Sequence, residues 1–107
     1  MGLVTEVYQA TRGFPKDEQF GLTPQIRRAA VSVPANIAEG HARKGPREYR
    51  NFLSVSIGSL AELETHLEIA VRLGYTSEER AGELRARMAE VGRMLHGLLR
   101  SLASPRV

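Results

Sequence analysis

Pro34 lies inside a segment, residues 24–42, whose other residues favour a helix. A proline in a helix interior removes one backbone donor and clashes with the preceding turn, at a cost of roughly 3 kcal/mol or more. A helix that contains such a residue is expected to bend there. Helical periodicity also dominates the rest of the chain, and no strand-like alternation or repeat occurs. The sequence therefore predicts an all-α protein whose second helix is bent at Pro34.

Glycine, proline and capping residues divide the chain into four predicted helices, residues 3–12, 24–42, 46–73 and 77–103. Thr23 is the predicted N-cap of the second helix. Gly74 is expected to be the left-handed residue that ends the third helix. Thr76 and Glu79 are expected to form a capping box for the fourth helix. Short connections between long helices imply antiparallel neighbours, so we expect an up-down-up-down four-helix bundle with a short first helix.

Length and composition define the broad class of the protein. A chain of 107 residues forms one domain, residues 1–107, which can bury a core without disulfides or metals. The chain has no cysteine, no signal-peptide pattern and no apolar stretch near the ~20 residues that span a bilayer. We therefore expect a cytoplasmic protein.

A set of spaced residues carries a family resemblance. It begins at Phe14-Pro15, includes Ser32-Val33-Pro34-Ala35-Asn36-Ile37-Ala38-Glu39-Gly40, and continues with Phe52-Leu53, Gly58-Ser59 and Glu62-Leu63-Glu64. This pattern resembles the 23S rRNA intervening-sequence proteins, which are small bacterial four-helix bundles. The resemblance implies a ring of five copies and an association with RNA. It also implies a relation to the accessory subunits of diversity-generating retroelements.

The two central helices carry more apolar surface than one core can cover. The core-facing stripe of the second helix is predicted to contain Ile26, Ala30, Val33 and Ile37. The corresponding stripe of the third helix consists of Tyr49, Phe52, Leu53, Leu60, Leu63, Leu67, Ala70 and Val71. That of the fourth helix consists of Leu84, Met88, Val91, Leu95, Leu98 and Leu102. A second apolar set points elsewhere and consists of Val31, Pro34, Ala38, Val55, Ile69 and Leu73. Contiguous apolar surface outside a core usually marks an interaction site. We expect this second set to form an interface between copies, aided by head-to-tail pairing of acidic residues in the third helix with basic residues.

Basic residues concentrate between the second and third helices. The predicted nucleic-acid-binding residues are Arg28, Arg43, Lys44, Arg47 and Arg50. Arginine suits phosphate because its planar fork donates two parallel hydrogen bonds. We expect no aromatic side chain beside these residues to stack on bases, and therefore no sequence-specific reading of single strands. A ring would multiply the few contacts of one copy.

Catalytic and metal-binding patterns are not found in the sequence. His41, His66 and His96 lie in different segments without ligand spacing. Glu62 and His66 form a four-residue pair on one helix face, a spacing more typical of a surface contact. Because no nucleophile is placed with a base, we expect no enzyme activity, no cofactor and no metal.

The polar residues around Pro34 have a structural interpretation. Ser32 and Asn36 are expected to bond backbone groups near the proline. Glu39 is expected to pair with Arg43 at a four-residue step, and Gly40 to allow close approach of a neighbouring helix.

Two functions remain open from the sequence. The first is an oligomeric bundle that binds RNA or other nucleic acid through backbone contacts. The alternative is a protein-docking scaffold or accessory subunit for a partner such as a reverse transcriptase or nuclease. Binding to phosphates weakens steeply as salt rises, whereas a mainly apolar docking site hardly responds to salt.

Overall fold

The computed structural model describes residues 2–103, so residues 1 and 104–107 of the predicted domain lie outside the described part. The helices are α1 (Gly2–Thr11), α2 (Leu22–Ala42), α3 (Pro46–Arg72) and α4 (Glu78–Ala103). A short 3-10 turn, Lys16–Glu18, separates α1 from α2, and the described residues contain no strand. Packing of α2 on α3, of α3 on α4, and of α1 on both α2 and α4 makes a four-helix bundle. The predicted fold class is confirmed.

The core forms where the predicted apolar stripes meet. The fully buried members of α2 include Ile26, Ala30 and Val33, and Ile37 packs against them while partly exposed. Between them α3 and α4 contribute Leu53, Leu60, Leu63, Leu67, Leu84, Met88, Val91 and Leu95. The short α1 adds Leu3 and Val7, which are 1% and 2% exposed. Helical periodicity therefore identified the core face of each long helix.

The predicted start of α2 is wrong by two residues. Gly21, not Thr23, is the N-cap, and it offers no side chain for capping. The carboxylate of Glu18 replaces that side chain, because its Oε1 accepts a hydrogen bond of 2.9 Å from the backbone N–H of Leu22. Glu18 lies four residues before Leu22, at the end of the 3-10 turn, and its side chain thus satisfies a backbone donor that the first turn of the helix leaves free.

The predicted capping box of α4 is also wrong. The Oγ of Ser77, not that of Thr76, accepts a hydrogen bond of 3.0 Å from the backbone N–H of Arg80. With Ser77 in the capping position, the third helical residue is Arg80 rather than Glu79, so no acidic side chain returns to the cap.

The predicted end of α3 is confirmed to within one residue. Gly74 has a φ of +79° and follows Leu73, the C-cap. Its N–H donates to the carbonyl of Val71 at 3.0 Å, and the N–H of Tyr75 donates to the carbonyl of Ala70 at 2.9 Å. These two bonds form a Schellman motif, which satisfies carbonyl groups that the end of a helix leaves free.

Polar side chains join α2 to α3 beside Pro34. The Nδ2 of Asn36 donates to the carbonyl of Ser32 at 2.8 Å, as predicted. The hydroxyl of Ser32 instead shares a hydrogen bond of 2.7 Å with the hydroxyl of Ser59, because that side chain faces α3. The buried Ser56 donates to the carbonyl of Val33. The helix α2 continues through Pro34, and the bend there stays a prediction.

Candidate nucleic-acid interface

The connection from α2 to α3 presents basic side chains at one end of the bundle. Helix α2 ends at Ala42 and α3 begins at Pro46, so only residues 43–45 join them. Gly45 has a φ of +90°, a backbone conformation that favours glycine. This tight turn keeps Arg43, Lys44 and Arg47 close together, and all three are exposed.

Two of these three cations have no carboxylate partner. Arg43 forms the predicted ion pair, with 2.7 Å between its Nη2 and the Oε2 of Glu39. Lys44 and Arg47 make no ion pair or side-chain hydrogen bond within residues 2–103. Their charge is therefore available to an anion from outside the chain.

The other two predicted binding residues do not belong to this group, for different reasons. Arg28 is exposed on α2, but about 22 Å from Arg43 along the helix axis at 1.5 Å per residue. Arg50 is half-buried, and its Nη1 donates a hydrogen bond of 3.1 Å to the carbonyl of Leu102 near the end of α4. The compact basic cluster consequently contains Arg43, Lys44 and Arg47. We call these three residues the basic turn.

Four arginines of α3 and α4 form ion pairs with glutamates of the same chain. The pairs are Arg72–Glu68 at 2.8 Å, Arg85–Glu68 at 2.9 Å, Arg80–Glu83 at 3.0 Å and Arg87–Glu6 at 2.5 Å. The hydrogen bond from Arg72 holds the pKa of Glu68 below its ordinary value and raises the pKa of Arg72. Because Glu68 forms ion pairs with two arginines of its own chain, it has little charge left for the expected head-to-tail pairing with basic residues of another copy.

Aromatic rings lie beside the basic turn, so the expectation that none would do so is wrong. The guanidinium carbon of Arg43 lies 5.2 Å from the ring centroid of Phe52. Tyr49 packs edge-on against His41, with 5.8 Å between centroids and 88° between planes. Phe52 is nine residues after Arg43 in the sequence, and the antiparallel α2–α3 packing returns it to the same place. Phe52 follows Tyr49 by three residues in α3, so the two rings lie on the same side of the helix. This spacing is the feature of the sequence that could have predicted aromatic rings beside the basic residues.

A shallow depression adjoins the basic turn. It has a volume of about 390 Å³ and is lined by Arg43, Glu48, Asn51, Phe52 and Val55. The side chains of Glu48 and Asn51 are exposed and make no hydrogen bond or ion pair with the part of the chain that the structure describes. The depression therefore combines a guanidinium and an aromatic ring with unengaged polar groups.

The second apolar set lies outside the core, as predicted. Val31, Val55, Ile69 and Leu73 are 40%, 52%, 40% and 55% exposed. Ala38 is exposed and Pro34 is half-buried. Their role as an interface between copies stays a prediction. Phe20, which the sequence reasoning did not assign to a surface, is 90% exposed next to the start of α2.

Residues 2–103 are also informative about metal sites and membrane-spanning helices. Histidine and acidic side chains nowhere gather in threes at a spacing suited to a metal ion within these residues. None of the described helices combines the length and apolar content needed to cross a bilayer.

Comparisons with known proteins identify the family pattern and the fold. The family model described as "23S rRNA-intervening sequence protein" matches residues 1–97. A crystal structure of a protein of unknown function from the S23 ribosomal protein family of Bacteroides thetaiotaomicron superposes with a TM-score of 0.78 at 22% identity. That match covers 90% of this chain and 87% of the other. None of the curated proteins compared with the chain matches it.

Proposed function

The chain belongs to the 23S rRNA-intervening sequence protein family, and from that premise we propose that it is a non-enzymatic, cytoplasmic, homo-oligomeric protein that binds RNA. The observation that carries the proposal is the basic turn, where Lys44 and Arg47 have no partner within residues 2–103. Arg72, Arg80, Arg85 and Arg87 pair with glutamates, whereas the basic turn holds two unpaired cations, Lys44 and Arg47, only three residues apart in the sequence.

Phosphate contact is the chemistry that this arrangement supports. Arginine and lysine bind phosphate oxygens and release condensed counterions, with a log–log salt slope of about −0.9 for each phosphate on a duplex. Three cations in one copy give weak binding. Several copies held together would act on one RNA as linked sites, and the apparent affinity would rise without any new contact.

Self-association is supported by the outer face of α3. Val55, Ile69 and Leu73 are exposed there, although they are large and apolar. Gly58 lies on the same face, and nothing is within 4 Å of the Cβ that another residue would add. Glycine in a helix interior costs about 1 kcal/mol relative to alanine, and no contact within residues 2–103 explains the glycine at this position. A helix of a second copy approaching closely would explain both features. The resemblance implies a ring of five.

The RNA proposal is tested by reversing the charge of the basic turn. Replacing Arg43, Lys44 and Arg47 together with glutamate should abolish retention of a structured RNA in a gel-shift titration. The matched control replaces Arg12, Lys16 and Arg93, three other exposed cations, so that both variants have the same net charge. Circular dichroism should show equal helix content in the two. Binding that survives in the first variant would rule the basic turn out.

The oligomer proposal has a separate test. Ile69→Lys with Leu73→Lys should keep the helix content but lower the mass measured by light scattering. The control introduces two lysines at exposed polar positions, Gln9→Lys and Gln19→Lys. An unchanged mass in the first variant, or a wild-type chain that sediments as a single subunit at micromolar concentration, would contradict the proposal.

A protein-docking role is the second candidate, and the 90% exposed Phe20 favours it. A partner protein held by such apolar contacts would remain bound as salt rises. The RNA complex should dissociate over the same salt range, because its affinity depends on released counterions.

A further inference from the structure

We propose that the depression beside the basic turn holds one unpaired nucleobase of the bound RNA. The inference rests on the proposed function and names the kind of RNA that this site prefers. An RNA with a bulged or looped-out nucleotide presents such a base, whereas the bases of a continuous duplex are stacked and paired.

Arg43 and Phe52 form the stacking surface. The Arg43 guanidinium lies over the Phe52 ring at 5.2 Å, and its ion pair with Glu39 at 2.7 Å restrains it there. The Arg43 side chain is still 47% exposed, so a flat ligand can reach it. Aromatic rings and guanidinium planes are the groups on which proteins stack splayed-out RNA bases. The lining of the depression thus has the chemistry that a heterocycle requires.

Asn51 and Glu48 supply the polar edge. The Asn51 amide offers donors and an acceptor, and the Glu48 carboxylate offers acceptors only. Neither side chain is engaged within residues 2–103. A carboxylate accepts hydrogen bonds from the amino group of cytosine, and uracil lacks an exocyclic amino group. We therefore expect cytosine to be preferred over uracil.

The size and surroundings of the depression suit one base on a charged strand. Its volume of about 390 Å³ lies near the lower end of the ~300–1,000 Å³ range of ligand pockets. Arg47 immediately precedes Glu48 in the chain, and Lys44 immediately follows Arg43. A base in the depression therefore keeps its flanking phosphates near the basic turn. Val55 also lines the depression, and it belongs to the predicted interface between copies.

The experiment compares three RNA hairpins that share one stem. The first carries a single bulged cytidine, the second an abasic nucleotide at the same position, and the third a fully paired stem. Fluorescence anisotropy with the full chain should give the cytidine RNA at least about fivefold tighter binding than the abasic RNA, which corresponds to the lower bound for stacking of one base. The abasic RNA separates the effect of the base from that of a bent backbone.

Variants assign the preference to the depression. Asn51→Ala should reduce the difference between the cytidine and abasic RNAs, because it removes hydrogen bonds to the edge of the base while the stacking surface remains. Ser54→Ala, an exposed neighbour outside the depression, should keep the difference. Glu48→Gln should reduce the preference for a bulged cytidine over a bulged uridine.

The outcomes distinguish this inference from the proposed function. Equal affinity for the cytidine and abasic RNAs, with binding that still depends on the basic turn, would overturn the nucleobase site and leave RNA binding intact. A difference between the cytidine and abasic RNAs that is undiminished in Asn51→Ala would also overturn it. If the wild-type chain binds none of the three RNAs, the proposed function is contradicted instead.

Discussion

Gly40 of α2 and Phe52 of α3 lie so close that a Cβ added at Gly40 would be 2.7 Å from the Cβ of Phe52 and 3.0 Å from the Cδ1 of Tyr49. Real Cβ atoms essentially never approach to 2.7 Å, and the Cβ of Phe52 cannot move without its backbone. The predicted close approach at Gly40 is confirmed. The same contact brings Phe52 to the place where Arg43 covers it, so Gly40 shapes the site as well as the fold.

Gly40→Ala should destabilise the protein by about 1–3 kcal/mol, the usual cost of forcing atoms into a packed contact. The penalty should appear even though alanine is the better helix former by about 1 kcal/mol. Chemical denaturation provides the measurement. Gly82→Ala is the matched control, because nothing lies within 4 Å of the Cβ added there, and it should stabilise α4 slightly. Equal stability of the two variants would refute the packing role.

Glu18 links the start of α2 to the loop after α3. The backbone N–H of Leu22 and then the hydroxyl of Tyr75, at 2.8 Å, hold the pKa of Glu18 below its ordinary value of 4.5. The ionised form therefore stabilises the folded state fully above pH 4.5, and this stabilisation is lost as the pH falls through the lower folded-state pKa.

Glu18→Gln should consequently lower the thermal midpoint at pH 7, and the difference from wild type should shrink below pH 4.5. The control is Glu64→Gln, at an exposed glutamate in the middle of α3 whose side chain has no partner in the part of the chain that the structure describes. Its thermal midpoint should follow that of the wild type. A difference for Glu18→Gln that stays constant down to pH 3 would contradict the assigned role.

Ser59→Ala should cost about 1 kcal/mol of unfolding free energy, the net value of a typical buried hydrogen bond. The change removes the hydroxyl that shares a 2.7 Å bond with Ser32 across α2 and α3. Ser54→Ala changes an exposed serine of the same helix and should be nearly neutral. If urea denaturation gives the two variants the same midpoint, the bond between the helices contributes nothing measurable.

Gly58→Ala separates the stability of one copy from the assembly of several. Alanine should favour α3 by up to about 1 kcal/mol, since the added Cβ meets nothing within 4 Å in this chain. If a second copy packs closely on this face, the added methyl should lower the light-scattering mass at a fixed concentration. A mass equal to that of the wild type would place Gly58 outside any interface.

Local patterns in the sequence predicted the features that depend on neighbours within about one helical turn. Periods of three and four residues identified the buried stripes, which include Val33 in α2 and Leu95 in α4. The Glu39–Arg43 pair and the end of α3 at Gly74 follow from the same short-range geometry. The predicted N-caps of α2 and α4 are wrong because other residues that can cap a helix lie nearby. The spacing of residues in the sequence does not show which of them caps the helix.

What the sequence by itself determined is the set of helices and the faces that they bury, because backbone hydrogen bonds and apolar spacing act over three or four residues. The tertiary structure alone decided which side chains remain free for a ligand. Arg50 donates a hydrogen bond to the carbonyl of Leu102, 52 residues away, and Arg85 donates one to Glu68, 17 residues away. The side chains of Lys44 and Arg47, by contrast, have no partner within residues 2–103. These pairings depend on how the helices are aligned when they pack. Helical periodicity is the same for every alignment, so it cannot predict them.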